Sequence, residues 1–306
     1  MRVVLSLGRS TLVGNGRRLA VRAGELRALA EEHQLIIVAD GNAALSFQMG
    51  GDPADSPYSL DAIAAQAQGL IGYRLVSLLD CGIASKPAVS VVSRVLVDPN
   101  DRAFGHPATF VGPGYHKTQA RRLANRHDWI MARDGIWWRR VVAAPEPLAV
   151  LEQSAISDLV DAGNTVVCAG AGCVPVAIND DGAVYGIEAI ADSDRTAAQL
   201  AIDVQADVLA IITAVDGIYD GYGSPGSRLV RSTTVDELAH MEFPARTMAP
   251  KVQAACTFVG ARAGRGHAVI GSLADLRQVV AGEAGTLVGG SGTDQPERAQ
   301  PVIAVL

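Results

Sequence analysis

Three glycine-bearing turns carry the first chemical signal in this sequence. Gly8 follows the apolar run 3–7, Asp40-Gly41-Asn42-Ala43 follows 35–39, and Gly170-Ala171-Gly172 follows the run 165–169. Small residues at such turns let backbone N–H groups approach an anion, and a helix N-terminus behind the turn adds partial positive charge. That chemistry suits a phosphate being transferred. Taken singly, each glycine reads equally well as strand-to-helix punctuation. Other phosphate and catalytic signatures are missing: there is no G-x-x-x-x-G-K-[ST] motif and no G-x-G-x-x-G opening the first helix, which disfavours P-loop and dinucleotide enzymes. No His/Cys/Asp/Glu group has metal-ligand spacing, and no G-x-S-x-G elbow suggests a serine hydrolase. The six histidines are scattered and read as surface or packing residues.

The elements that must hold these turns are legible as an alternation. Apolar runs at 3–7, 35–39, 88–92, 165–169, 208–213 and 267–270 each have the length of a fully buried strand. Helix-like stretches lie between them, at 21–32, 60–80, 156–162, 194–205, 234–239 and 249–263. The expected fold is therefore α/β, an open and mainly parallel sheet with helices on both faces. In such a sheet ligands bind beyond the carboxyl ends of the strands, so the three turns can share one site. The stretch from about 94 to 147 breaks the alternation. It carries several prolines, half of the histidines and the Trp137-Trp138 pair, with helical periodicity only near 118–126, and it reads as a small subdomain inserted over the ligand edge.

Composition bounds the rest. At 306 residues with 49% hydrophobic side chains the chain can bury a large core, as one two-lobed domain or two closely packed ones. A formal charge of −6 argues against a general nucleic-acid binder but leaves room for a local basic pocket. Cys81, Cys168, Cys173 and Cys256 form no C-x-x-C pair and read as structural thiols. With no cleavage-like leader and no run of about 18 apolar residues, a cytoplasmic location is expected.

Six segments resemble the carbamate kinases, members of the amino-acid-kinase superfamily, in order and spacing. They are Gln68-Gly69-Leu70-Ile71-Gly72-Tyr73, Val95-Leu96-Val97-Asp98-Pro99, Gly112-Pro113-Gly114-Tyr115, Arg139-Arg140-Val141-Val142-Ala143-Ala144-Pro145, Thr213-Ala214-Val215-Asp216-Gly217-Ile218-Tyr219 and Met248-Ala249-Pro250-Lys251-Val252. The resemblance implies an amino-acid-kinase domain over 1–306, with an acceptor-side lobe over 1–205, the insertion at about 94–147, and a nucleotide-binding lobe over 206–306. It implies an ATP-dependent phosphotransferase that makes carbamoyl phosphate from carbamate or runs the reverse, using ATP/ADP and Mg, as a homodimer acting on a small-molecule acceptor. By the same resemblance Lys251, Asp194, Gly8, Arg9, Ser10, Gly41 and Asn42 are the expected catalytic residues. Thr213, Val215, Asp216, Tyr219, Met248, Lys251, Gly170 and Gly172 are the expected nucleotide-binding ones. No protein ligand set for the metal is implied.

The departures from the family pattern are concentrated. An Asp-Lys-Asp trio reads Asp192-Ser193-Asp194 here, a Gly-Gly-Asn loop reads Gly8-Arg9-Ser10, and a His-Gly-Asn-Gly loop reads Asp40-Gly41-Asn42-Ala43. In the insertion an expected lysine is replaced in Ala132-Arg133-Asp134. Phosphoryl transfer depends on positioning and on charge placed around the transferred oxygens, so loss of cations bears directly on activity. Arg9 and Arg195 are candidates to replace them. Two alternatives stay open: a kinase for a different small carboxylate-like acceptor, and a catalytically impaired nucleotide-binding relative with a regulatory or structural role.

Overall fold

The computed structural model describes residues 1–8, 21–40, 58–80, 86–168, 173–244 and 247–289. Arg9, Ser10, Gly41, Asn42, Cys81, Gly170 and Gly172 lie outside the described residues. At the centre is an eight-stranded sheet that contains all six of the runs expected to be strands: β1 (Arg2–Leu7), β2 (Gln34–Ala39), β3 (Ala88–Val91), β9 (Thr165–Cys168), β12 (Val208–Thr213) and β16 (His267–Ser272). They lie side by side in the order β16-β12-β1-β2-β9-β3, and every neighbouring pair is parallel. Near-continuous valine, leucine and isoleucine is what a strand covered on both faces requires. Two short strands, β15 (Ser232–Thr234) and β17 (Thr286–Gly289), extend the β16 edge, with β17 antiparallel to β16.

Alternate side chains along β1 serve the two faces. Val3, Leu5 and Leu7 pack with α1 (Ala23–Glu32) and α2 (Leu60–Leu79), through residues such as Leu26, Leu29, Ile63 and Ala67. Val4 turns to the opposite core, formed with α5 (Ser193–Asp203) and α7 (Met248–Arg262) and centred on Leu200 and Phe258. Helix α4 (Gln153–Asp161) joins this second core through Ile156 and Val160. Period two places Ser6 on the α5 face as well, a hydroxyl wholly buried within the apolar run 3–7.

One resemblance-bearing segment, 68–73, proves to be a packing device. Gln68 clamps the chain after β3, its Nε2 donating to the Ser93 carbonyl (3.0 Å) and its Oε1 accepting from the Ser93 N–H (2.9 Å). One turn later, any Cβ on Gly72 would fall 1.9 Å from Ser90 Oγ, so α2 can lie against β3 only with glycine there.

The stretch read as an insertion begins and ends in strands of a second sheet. β4 (Arg94–Val97) and β8 (Pro147–Val150) pair with each other and, through β4, with β10 (Val174–Ile178) and β11 (Val184–Gly186), in the order β11-β10-β4-β8. Between them an antiparallel sheet of β5 (Thr109–Tyr115), β7 (Trp137–Val142) and β6 (Met131–Asp134) carries α3 (Lys117–His127). This unit has its own small core of Tyr115, Ala120 and Leu123, flanked by Trp129, Met131 and Trp138. A short hairpin, β13 (Tyr219–Asp220) with β14 (Arg228–Leu229), follows β12, and the single-turn α6 (Val235–Leu238) follows β15. α8 (Leu276–Val280) packs back on β16. Among the described residues no helix is long and apolar enough to cross a membrane.

Candidate active site

The carboxyl ends of β12, β1 and β2 meet at one point. Gly8, the residue after β1, donates its N–H to the Ile212 carbonyl (3.0 Å), and Asp40, the residue after β2, donates its N–H to the Leu7 carbonyl (2.8 Å). A Cβ on Gly8 would sit 2.7 Å from the Ile212 oxygen and 3.7 Å from Lys251 Nζ. Bare backbone is therefore required beside the lysine.

Lys251 reaches this point from the first turn of α7. Its Nζ donates to Asp194 Oδ2 at 2.6 Å, and the other carboxylate oxygen, Oδ1, accepts from Ser6 Oγ at 2.7 Å. Asp194 occupies the first turn of α5, where the adjacent Asp192 caps the helix by accepting from the N–H groups of Asp194 and Arg195, each at 3.0 Å. Serine on the sheet, carboxylate on one helix and ammonium on another thus form a line of charge-assisted hydrogen bonds. Burial works against the Lys251 charge, but the attraction of Asp194, and then of Asp192 and Asp40, outweighs it and holds the ammonium pKa above its ordinary value. Burial, and then the neighbouring Asp194 charge, raise the Asp192 carboxyl to about 6.

Beyond Lys251 opens a cavity of about 1220 Å³. Gly8, Asp40 and Lys251 form one end. Thr213, Val215 and Met248 line its length, and Tyr219, Tyr222 and Phe243 supply rings at the other end. The two tyrosine rings stand edge to face with centroids 6.0 Å apart. Of the sequence-expected residues in described positions, Gly8, Thr213, Val215, Tyr219, Met248 and Lys251 share this wall. Asp194 sits behind Lys251, and Asp216 lies to the side, accepting from the Tyr219 hydroxyl at 3.4 Å. Sequence reasoning missed Tyr222, His240, Met241 and Phe243. Their only signal is a clustering of aromatic and sulfur-bearing residues in the turns after β12 and before α7, where no periodicity marks them.

Cys168 and Cys173 take no part. Burial pushes the Cys173 thiol up to about 12 and the Cys168 thiol higher still, so neither is available as a thiolate.

The amino acid kinase family model matches residues 1–271. Carbamate kinase of Escherichia coli (strain K12) is 38% identical over 94% of this chain and 98% of its own length. That of Rhizobium meliloti (strain 1021) is 36% identical over 96% and 95%. The chain belongs to the carbamate kinase family. Solved structures agree: carbamate kinase from Giardia lamblia bound to AMP-PNP superposes with a TM-score of 0.86 at 28% identity, over 94% of this chain and 98% of that one. A structure from Aeropyrum pernix K1 gives 0.87 at 30% identity, over 94% and 99%.

Against the family pattern, the departures take definite places. Ser193, standing where the family trio has lysine, is buried at the first position of α5 between the two aspartates. Ala132 and Arg133 lie on β6, and Asp134 pairs with Arg139 at 2.9 Å. Arg195, a candidate replacement cation, is otherwise engaged: Nη1 donates to Glu146 Oε1 (2.5 Å) and Nη2 to Gln253 Oε1 (2.7 Å). It ties α5 and α7 to the stem of the insertion and is not part of the cavity wall.

Proposed function

We propose that this chain is a working carbamate kinase, moving a phosphoryl group from carbamoyl phosphate to ADP or, in reverse, from ATP to carbamate. The observation that carries the reading is the buried Ser6–Asp194–Lys251 line, ending in an ammonium beside the bare backbone of Gly8 at one end of a nucleotide-sized cavity. In the ATP-forming direction, a terminal phosphate oxygen of ADP bonds to phosphorus as the bond from phosphorus to the acyl oxygen breaks. The electron pair leaves with the carbamate carboxylate. Lys251 neutralises the transferred oxygens, Asp194 fixes the direction of its ammonium, and Ser6 fixes Asp194. One such preorganised donor is worth about 10²–10³ in rate.

The nucleotide fits with its base among Tyr219, Tyr222 and Phe243 and its phosphates toward Gly8 and Lys251. This supports a division into an acceptor-side lobe over 1–205 and a nucleotide lobe over 206–306. Mg would arrive with the nucleotide and offset the charge of its phosphates. We place the enzyme in the cytoplasm as a homodimer, following the family resemblance.

The test is ATP formation by the pure protein from Mg-ADP and carbamoyl phosphate. Turnover far above the uncatalysed background is the expected result. One feature favours a second reading, an impaired nucleotide-binding relative: Lys251 faces the charges of Asp194, Asp192 and Asp40, with Ser193 in place of a further cation. ADP binding by calorimetry without ATP formation would establish that reading and remove the first.

A further inference from the structure

Much of the ring-lined end of the cavity is supplied by the hairpin that follows β12. Gly217, Tyr219, Asp220, Gly221, Tyr222 and Ser224 all line the cavity, yet β13 and β14 pair through only two residues each and belong to no larger sheet. A two-stranded hairpin is marginally stable on its own, so what holds this one in place lies at its base. There Ile218 and Val230 stand opposite each other, one step below the Tyr219–Leu229 pair. The Val230 N–H donates to the Ile218 carbonyl at 2.8 Å. In a regular antiparallel ladder such a pair exchanges a second bond in return. Here the return path runs through a side chain: the Ile218 N–H donates to Thr286 Oγ1 at 2.8 Å, and the Thr286 hydroxyl donates to the Val230 carbonyl at 2.5 Å.

Thr286 is the first residue of β17, wholly buried, and belongs to none of the resemblance-bearing segments. Its single hydroxyl proton is committed to Val230, so the Ile218 N–H meets a lone pair and both roles of the group are fixed. Gly217 lets the hairpin close onto it: a Cβ there would fall 2.6 Å from Thr286 Oγ1 and 2.9 Å from Leu229 Cδ1. The Ile218 side chain is buried in the second core and anchors the hairpin in depth, while the hydroxyl bridge sets its direction. Tyr219 is the next residue, and its ring meets that of Tyr222 across the turn. We propose that Thr286 is a positioning residue of the nucleotide site, its buried hydroxyl fixing, through Ile218 and Val230, the hairpin that presents Tyr219 and Tyr222 to the base. This rests on the placement of the nucleotide given above. Without the hydroxyl, one backbone donor and one acceptor lose their partner at the base, and the hairpin can relieve that only by shifting. The charged end, with Gly8, Asp194 and Lys251, shares none of these bonds.

The experiment compares the wild type, Thr286→Val, which keeps the shape and loses the hydroxyl, and Thr286→Ser, which keeps the hydroxyl and loses the methyl. Two quantities are measured: the Kd for ADP by calorimetry, and the steady-state constants for ATP formation from Mg-ADP and carbamoyl phosphate. In Thr286→Val the Kd and KM for ADP should rise about 10-fold, the scale of one lost stacking contact, while kcat and the KM for carbamoyl phosphate stay near the wild-type values. Thr286→Ser should bind ADP as the wild type does. If Thr286→Val does not fold, Gly217→Ala presses on the same contact from the hairpin side and should show the same selective loss of ADP affinity. Unchanged ADP affinity in the valine variant, or in the alanine variant where that replaces it, overturns the inference. So does a serine variant as weak as the valine one, or a loss spread equally over ADP, carbamoyl phosphate and kcat. A wild type that binds ADP without forming ATP removes the proposed reaction, and the calorimetric comparison still decides on Thr286. A wild type that binds no ADP removes the nucleotide reading and this inference together.

Discussion

The two ends of the cavity are built on opposite principles. At the β12 end the wall presents rings and thioethers, Tyr219, Tyr222, Phe243, Met241 and Met248, which offer stacking area, with Asp220 and Glu242 beside them in the same turns. At the β1–β2 end Gly8 leaves open backbone, and Lys251 works among Asp194, Asp192 and Asp40. The first end can tolerate exchange of one apolar side chain for another, because stacking depends on area. The second cannot, because each charge sets the direction or protonation of the next. The departures from the family pattern at Asp40 and Ser193 fall at the charged end.

Substitutions at the two ends should therefore fail in different ways. Lys251→Ala removes the ammonium aimed at the transferred oxygens, and kcat for ATP formation should drop about 10²–10³-fold. Among the described residues it also leaves the buried Asp194 carboxylate with Ser6 alone, so the unfolding midpoint should fall too. If kcat is kept and only the KM for ADP rises, the ends do not differ as described. Tyr219→Ala, by contrast, removes one stacking surface, and the KM for ADP should rise about 10-fold while kcat stays near the wild-type value. A collapse of kcat in that variant would show that the apolar end also orients the reacting groups.

The smallest effect concerns pH. Because the Asp192 carboxyl is raised from 3.8 to about 6 in the folded protein, the native state holds this proton more tightly than the unfolded chain does. Its contribution therefore favours folding at low pH and is lost as pH rises from about 4 to 6, levelling off above that. Asp192→Asn keeps a side-chain acceptor for the α5 cap but no titrating group, and denaturant titrations should show that segment of the stability profile flattened, by on the order of 1 kcal/mol. An unchanged profile would mean that Asp192 is already ionised across this range.

How much of this was legible in the sequence follows the range of the forces involved. The six central strands were readable because burial on both faces demands unbroken apolar runs, and each run appears in the sheet at its expected place. β15 and β17 were not, since three or four residues containing Ser, Thr and Gly at a sheet edge carry no burial signal of their own. The inserted region was visible as a break in pattern, but the pairing of β4 with β8 and β10 depends on contacts distant in sequence. The site shows the same limit. Lys251 and Asp194 were named through motifs, whereas Ser6 looked like one more residue of an apolar strand; its partner lies 188 positions away. Arg195 was expected as a possible substitute cation, and only the fold reveals that Glu146 and Gln253 hold it.

Ser6 also makes the site sensitive to how β1 is threaded. The valines and leucines around it would fill either face of the sheet nearly as well, so packing alone discriminates weakly between alignments of this strand. A slip of one residue turns every side chain to the opposite face and carries the hydroxyl away from α5. Asp194 then has a buried oxygen with nothing to accept from, and its grip on Lys251 slackens. The single serine thus acts as a registration mark: the alignment that satisfies the carboxylate is the one in which Ser6 stands opposite Val38 and Ile211, and an active molecule is by that fact a correctly threaded one.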